Sequence, residues 1–207
     1  MENWYPEKLM VGNEGTPATY EFMQTVYQKS QLFRYAEFGI YKGGTALNIA
    51  KLFPNSELHL FDFENTLNNF KEDIPATINN RFMFYGNSQK FNDSYNWALM
   101  KLIHINQNKP VFDYCFLDGA HTVAIDALNF LLVDKLLNVG GYVDFDDYSW
   151  TLRGSSLDPI KTPAVDLQYT DEQIDTPQVK MIIDTLVTPD KRYIEVVPNK
   201  IYQKIAP

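Results

Sequence analysis

The sequence contains one cysteine, Cys115, so it cannot form a disulfide bridge within the chain. This residue lies in the apolar run VFDYCFL, at residues 111–117. A free cysteine in such a run usually behaves as a small buried hydrophobic side chain. We therefore predict that Cys115 belongs to the core and is not a nucleophile.

Long apolar runs and concentrated basic charge are also missing. No run approaches the roughly 20 residues that a membrane-spanning helix requires. The first ten residues, MENWYPEKLM, lack the basic and apolar regions of a secretion signal. Lys and Arg number 18 against 26 Asp and Glu, the net charge is −8, and no basic cluster stands out. We therefore predict a cytoplasmic protein that binds neither a membrane nor a nucleic acid, because phosphate contacts require concentrated positive charge.

Strand patterns alternate with helical patterns along the 207 residues, a length that suits one domain spanning residues 1–207. A helix start is predicted at Thr16-Pro17, and residues 1–30 are expected to form a helical segment or lid. Another helix is predicted over residues 65–79, and a hairpin over 193–205 closes the chain. The alternation predicts an α/β fold with a doubly wound, mostly parallel sheet of seven strands.

The stretch YAEFGIYKGGT, residues 35–45, reads as a strand, a glycine turn and a helix start. Glycine has no Cβ and tolerates positive φ, so a ligand can approach the backbone closely at such a junction. A dinucleotide fingerprint, G-x-G-x-x-G, would need a glycine at position 41, where the chain has Tyr41. That difference disfavours a nicotinamide-dependent oxidoreductase and leaves another ligand class open.

A second acid, Asp62, ends the alternating strand of residues 57–63. In a doubly wound sheet this position lies beside the first glycine loop, where a carboxylate can accept both hydroxyls of a ribose. Glu64 is a second candidate, and a cap on the following helix is the structural alternative for Asp62. His59, within the strand, is predicted to be a half-exposed residue and not a ligand.

Carboxylates also end two later strands, which the doubly wound pattern places next to each other. Asp118 follows the strand of residues 111–117, and Asp146 and Asp147 follow a strand over residues 142–145. Gly140-Gly141 is expected to stop the helix between these strands. Neighbouring carboxylates raise one another's pKa unless a cation compensates, and a hard divalent ion such as Mg²⁺ suits oxygen ligands. Capping of the next segment is the alternative for the aspartate pair.

The spacing E-x-G-x-x-x-G-G-T at residues 37–45 resembles motif I of the class I S-adenosylmethionine (SAM) dependent methyltransferases. The order DG-x-H, helix, GGY-x-x-x-DDY is similar to the macrocin O-methyltransferase group, which methylates sugar hydroxyls with help from a divalent metal. Asp144, an acid in a strand position where an apolar residue is usual, departs from that pattern. The chain is also shorter than the antibiotic-pathway members of the group.

This resemblance implies a Rossmann-like methyltransferase sheet with an antiparallel strand in its C-terminal hairpin. It implies that Asp118, Asp146 and Asp147 bind the metal and that His121 is the general base, with Asp118 also in the catalytic site. Glu37 would help to hold the ammonium group of the cofactor, and Asn87-Ser88 would reach the adenine. The cofactor-binding residues that it implies are Glu37, Gly39, Tyr41, Gly43, Gly44, Thr45, Asp62, Phe63, Asn87, Ser88 and Asp118.

The sequence therefore predicts a SAM-dependent O-methyltransferase that acts on a small hydroxylated acceptor, such as a sugar or a glycosylated metabolite. S-adenosylhomocysteine (SAH) would be the product, Mg²⁺ would assist, and a homodimer is a further expectation. Tyr148, Trp150 and Arg153 follow the aspartate pair and are predicted to shape the acceptor pocket. The alternatives are a SAM-binding regulatory protein without catalysis and a metal-independent methyltransferase.

Overall fold

The structure is a computed structural model and describes residues 15–207. Within these residues a sheet of seven strands carries helices on both faces. The strands are Arg34–Phe38 (β1), Glu57–Phe63 (β2), Arg81–Asn87 (β3), Phe112–Leu117 (β4), Leu137–Phe145 (β5), Tyr193–Val197 (β6) and Ile201–Lys204 (β7). The α-helices are Pro17–Val26 (α1), Gly44–Leu52 (α2), Glu64–Asp73 (α3), Tyr95–Ile105 (α4), Leu128–Leu136 (α5), Asp171–Asp175 (α6) and Gln178–Ile182 (α7).

The strand order is β3-β2-β1-β4-β5-β7-β6, and all pairs from β3 to β5 are parallel. β7 runs antiparallel to both of its neighbours, β5 and β6. The order reverses between β1 and β4, and the carboxyl ends of these two strands form the edge where ligands bind in open α/β sheets. The predicted fold class is confirmed, including the antiparallel strand of the C-terminal hairpin.

The core lies on both faces of the sheet because successive strand residues point to opposite faces. One apolar cluster joins Phe38 and Leu117 to α4, α5 and α7, and the other joins Tyr35 and Phe116 to α1, α2 and α3. Cys115 is fully buried in the first cluster, as predicted. None of the helices within residues 15–207 has the length and apolar character needed to cross a bilayer.

The predicted end of the helix before β5 is wrong. α5 ends at Leu136 and β5 begins at once with Leu137, so Gly140 and Gly141 lie inside the strand and do not cap a helix. The register between β4 and β5 shifts at this point, which is a bulge. Gly140 has φ +89°, and a Cβ on Gly141 would lie 2.8 Å from the backbone oxygen of Asp113. The glycine pair therefore permits the bulge and the close approach of β4.

Two smaller predictions are also corrected. The helix expected over residues 65–79 is α3 and ends at Asp73. His59 is buried, not half-exposed, with one ring nitrogen 2.8 Å from Glu57 and the other 3.0 Å from the Tyr85 hydroxyl. Tyr85 lies in the neighbouring strand β3. The residue pattern of β2 alone therefore could not predict that His59 is buried.

Candidate active site

The glycine loop joins β1 to α2 at the carboxyl edge of the sheet. Gly39 has φ +85°, and a Cβ there would overlap the backbone oxygen of Asp118 at the end of β4. Gly43 has φ +71°, and a Cβ there would overlap the ring of Phe70 in α3. Both glycines are therefore required by close packing as well as by backbone conformation. Gly44 and Thr45 open α2 and are buried, as the sequence places them at the helix start.

Asp62, at the end of β2, is bound to the glycine loop. Its Oδ2 accepts hydrogen bonds from the backbone N–H of Ile40 at 2.7 Å and of Tyr41 at 3.1 Å, and its Oδ1 accepts one from Phe63. Burial raises the pKa of Asp62, and the hydrogen bonds from these backbone donors partly oppose that increase. The carboxylate therefore fixes the loop conformation, a role that the sequence did not suggest. Its predicted contact with a ribose stays a prediction, and Glu64 is exposed.

Glu37 is buried at the end of β1, where its Oε2 accepts a hydrogen bond from the Tyr35 hydroxyl at 2.8 Å. Burial raises the pKa of Glu37 to about 8, while the tyrosine opposes the shift and Asp62 and Asp146 add to it. Burial therefore favours the protonated, neutral form of this carboxyl group. A cationic ligand at the glycine loop would favour the ionised form, which fits the predicted contact with an ammonium group.

Asn87 and Ser88 lie where β3 ends, and Asn87 pairs with Phe63 in the sheet. The Ser88 N–H and hydroxyl both donate to Asp93, at 2.7 Å each, so this serine is engaged within the protein. The Asn87 Oδ1 is buried and has no hydrogen-bond partner within residues 15–207. A buried acceptor without a partner carries a free-energy cost that a donor such as an adenine amine would remove.

The acidic residues after β4 and β5 do meet. The two strands are parallel neighbours, and the Asp146 N–H donates to the Leu117 carbonyl at 3.0 Å. The pKa of Asp118 is raised well above its ordinary range. Burial is the largest cause, and the charge of the nearby Asp146 carboxyl group is the next. Asp147 lies on the more exposed side of the group, and its pKa is also raised by burial.

His121 lies between two of these aspartates. Its Nε2 is 3.7 Å from an Asp118 oxygen and 3.6 Å from an Asp147 oxygen, and its Nδ1 is buried without a partner within residues 15–207. His121 and Asp147 have φ +55° and +56°, in the left-handed region that side chains rarely adopt. Such strain persists only where surrounding contacts impose it, and it is common at functional sites. The structure therefore groups His121, Asp118, Asp146 and Asp147 at one edge, as the sequence predicted.

The donor chemistry of this group suits a hard cation. Three carboxylates are oxygen ligands of the kind Mg²⁺ prefers, and the negative charges of Asp146, Glu37 and Asp147 add to the burial that raises the pKa of Asp118. As they stand, no three acidic, histidine or cysteine side chains of the described residues are arranged closely enough to hold a metal ion. The metal therefore stays a proposal based on the donor set.

The predicted acceptor-pocket residues separate into two groups. The ring of Trp150 lies 5.2 Å from the ring of His121 and so belongs to the site. Tyr148 accepts a hydrogen bond from Lys180, and Arg153 binds Asp175 at 2.8 Å within the segment that follows β5. The contacts of these two side chains are therefore with later parts of the chain and not with His121.

Sequence reasoning missed a basic residue at this edge. Lys200, in the turn between β6 and β7, lies 2.9 Å from Asp144 and 3.5 Å from Asp146. The unusual acid in β5, Asp144, was the one signal that a cation had to be near. The sequence alone could not show which of the 18 basic residues supplies it.

Together, the sheet order and the glycine loop define the fold of the SAM-dependent methyltransferases. The protein is structurally similar to an O-methyltransferase from Bacillus cereus in complex with SAH, with a TM-score of 0.60 and 16% identity over 94% of this chain and 84% of that one. It is also similar to MycE from the mycinamycin biosynthetic pathway, in complex with Mg and SAH, with a TM-score of 0.54 and 18% identity. That match covers 90% of this chain and 48% of MycE, so the chain spans about half of the MycE length.

A third neighbour is an rRNA methylase from Streptococcus thermophilus, with a TM-score of 0.53 and 12% identity over 91% of this chain and 95% of that one. The sequence matches no protein-family model and no curated protein. At these identities the neighbours establish the shared fold. The predicted resemblance to O-methyltransferases is therefore confirmed at the level of fold, and the prediction that nucleic acids are not partners stays a prediction.

Proposed function

We propose that the protein is a SAM-dependent O-methyltransferase that methylates a hydroxyl group of a small molecule, such as a sugar or a glycosylated metabolite. The observation that carries the proposal is the contact between Gly39 and the backbone of Asp118. This contact places the glycine loop directly against the strand end that bears the acidic residues and His121. A cofactor held by the loop would therefore lie beside the residues that can bind and deprotonate an acceptor.

The glycine loop and its neighbours would hold the cofactor. The buried carboxyl group of Glu37 fits a ligand that carries an ammonium group. The Asn87 Oδ1, which has no hydrogen-bond partner within residues 15–207, fits an amine donor. Asp62 holds the backbone of Ile40 and Tyr41 in place, which keeps the loop ready for binding. When bound, SAM supplies an electrophilic methyl group, so the protein has mainly to align the acceptor and exclude water.

His121 is the proposed general base, and Asp118 is the second catalytic residue. The Nε2 atom faces Asp118 and Asp147, which would orient the ring. Trp150 packs against the same ring and would close one side of the acceptor pocket. Asp118, Asp146 and Asp147 would hold Mg²⁺. A bound Mg²⁺ would hold the acceptor oxygen and lower its pKa.

The proposal extends to the N-terminal segment and the domain as a whole. A Cβ on Gly15 would overlap the backbone of Thr45, and the Thr16 N–H donates to the Thr45 hydroxyl at 2.9 Å. The chain therefore enters α1 directly over the start of α2, which supports a covering role for residues 1–30; of these, residues 1–14 lie outside the described part. One domain over residues 1–207, a cytoplasmic location and a homodimer remain part of the proposal.

Ligand-dependent thermal unfolding tests the cofactor. SAH, SAM and NAD are added in parallel, each with EDTA and with Mg²⁺. A ligand at a hundred times its dissociation constant adds about 2.7 kcal/mol to the free energy of unfolding, enough to raise the midpoint by several degrees. We expect SAH and SAM to raise the midpoint and NAD to have no effect. A shift with NAD alone, or with no ligand, would contradict the proposal.

A variant of the proposed base separates catalysis from binding. His121→Gln should keep the SAH shift and lose methyl transfer to any acceptor found by screening small hydroxylated compounds. Equal turnover in His121→Gln and the unmodified protein would exclude His121 as the base. Turnover that survives excess EDTA would instead show the metal-independent enzyme. RNA belongs in the acceptor screen, because methylation of RNA would contradict the proposed small-molecule acceptor.

A further inference from the structure

The ammonium group of Lys200 lies beside the acidic group of the candidate site. Besides its contacts with Asp144 and Asp146, Nζ donates to the Phe145 carbonyl at 3.3 Å and lies 5.1 Å from the centre of the Phe116 ring. The side chain is 15% exposed. A lysine so enclosed has little freedom, and so its charge stays next to Asp146.

Asp144 holds this lysine in place. The carboxylate is fully buried, and its Oδ2 accepts hydrogen bonds from the Thr19 hydroxyl at 2.7 Å and the Tyr114 hydroxyl at 2.6 Å. The other oxygen, Oδ1, faces Lys200. A buried carboxylate that is bound on one side by neutral donors still requires a cation, and Lys200 supplies it. The pair therefore sets the position of the ammonium group from inside the sheet.

Resting on the proposed metal role of Asp118, Asp146 and Asp147, we propose that Lys200 is the resident cation of this acidic group. Its ammonium binds one oxygen of Asp146, holds that side chain at the strand end, and compensates part of its charge. A divalent ion at the same aspartates therefore shares Asp146 with a fixed positive charge. Lys200 therefore competes with Mg²⁺ for Asp146 and weakens the affinity of the acidic group for the ion.

The double variant Asp144→Asn/Lys200→Met tests this role. Lys200→Met alone would leave a buried carboxylate without a cation and could unfold the protein. In the double variant the amide oxygen introduced at position 144 can still accept from Thr19 and Tyr114, so the fold should survive. We expect isothermal titration calorimetry to show Mg²⁺ binding about fivefold tighter than in the unmodified protein, the size of effect that a partly exposed ion pair contributes. Lys200→Arg should keep the original affinity.

A second buried lysine–aspartate pair, which joins the same hairpin to α5, provides a matched control. Lys204 lies 3.2 Å from Asp134, and both side chains are buried. Like the test variant, Asp134→Asn/Lys204→Met removes one carboxylate and one ammonium group, but it leaves Lys200 and Asp146 in place. We expect this variant to bind Mg²⁺ like the unmodified protein. Adding Asp146→Asn to the first double variant and to the unmodified protein should abolish the difference between them.

Several outcomes would overturn the proposal. These are unchanged or weaker Mg²⁺ binding in Asp144→Asn/Lys200→Met, an equal gain in the control pair, or no Mg²⁺ binding in any form. Detectable binding in the double variant alone would support it, because the lysine would then fully replace the ion. SAH binding is measured on the same samples, so a failure of the resident-cation role can be told apart from a failure of the proposed cofactor.

Discussion

At the scale of single residues, Gly39 is required for two reasons, its backbone conformation and its close contact with β4. Its φ of +85° costs any other residue backbone strain, and a Cβ would also overlap the Asp118 carbonyl oxygen. Gly154 has a similar φ, +79°, but a Cβ there would have no neighbour within 4 Å among residues 15–207. A comparison of substitutions at the two glycines therefore separates the free-energy cost of the left-handed conformation from that of the overlap with Asp118.

We predict that Gly154→Ala lowers the free energy of unfolding by about 1 kcal/mol, the cost of the left-handed conformation alone. Gly39→Ala should lower it by at least about 2 kcal/mol more, because the loop or β4 must move. Urea unfolding of both variants measures the difference. Equal losses would mean that the loop has room to move away from Asp118, and SAH binding should then also be retained in Gly39→Ala.

At the scale of elements, α1 is attached to the sheet through a polar contact at its buried face. The Thr19 hydroxyl donates to Asp144, which lies in β5 and is fully buried. Through Asp144 and Lys200, this helix is linked to the C-terminal hairpin and to Asp146. Loss of the Thr19 hydroxyl should therefore weaken more than the local packing of α1.

We predict that Thr19→Val lowers the free energy of unfolding by about 1.5–3 kcal/mol, the usual contribution of a hydrogen bond to a charged group. Thr25→Val, in the same helix, is the matched control. The Thr25 hydroxyl donates to the Phe22 carbonyl at the exposed surface, and its loss should cost less than about 0.5 kcal/mol. Urea unfolding checks both values. A similar small loss in both variants would show that Asp144 does not depend on Thr19.

The elements that the sequence predicted well are those whose signals are local. The glycine loop, the acids that end β2, β4 and β5, and the C-terminal hairpin follow from patterns within about ten residues each. The start of β5 was wrong because a glycine pair permits a helix stop and a bulge equally well. The bulge forms because Leu137 pairs with Phe112 in β4, a residue that is distant in the sequence.

The same distinction applies to the candidate site. His121 and Asp118 are three residues apart, and parallel pairing of β4 and β5 brings Asp146 and Asp147 to them, so their grouping was predictable. The Lys200 contact joins residues more than fifty positions apart, and the hold of Asp62 on the glycine loop joins residues more than twenty apart. Pairings between side chains at such separations leave no periodic pattern in the sequence.

At the scale of the whole molecule, the fold buries several carboxyl groups whose pKa values are raised, chiefly by burial. They include Glu37, Asp126 and Asp144. His59 changes the free energy of unfolding with pH in the opposite direction. Burial lowers its pKa, so the unfolded chain binds a proton more readily than the folded one. The pH dependence of unfolding is therefore a sum of opposed contributions, and a single group is visible only as a difference between two variants.

Glu37 has the clearest signature of these groups. Its pKa rises from an ordinary value of 4.5 to about 8 in the folded protein, so between these values the folded state keeps a proton that the unfolded state has lost. The free energy of unfolding should then fall as pH rises through this range, by up to about 1.4 kcal/mol per pH unit, and level off above pH 8.

We predict that Glu37→Gln removes this contribution, because the amide is neutral at every pH and its oxygen can still accept from the Tyr35 hydroxyl. The free energy of unfolding of the unmodified protein minus that of the variant should fall steadily from pH 5 to pH 8. Urea unfolding at four pH values, in EDTA and without cofactor, measures it. A constant difference over this range would show that Glu37 is already ionised in the folded protein at neutral pH, and the glycine loop would then present a charged carboxylate before any cationic ligand binds.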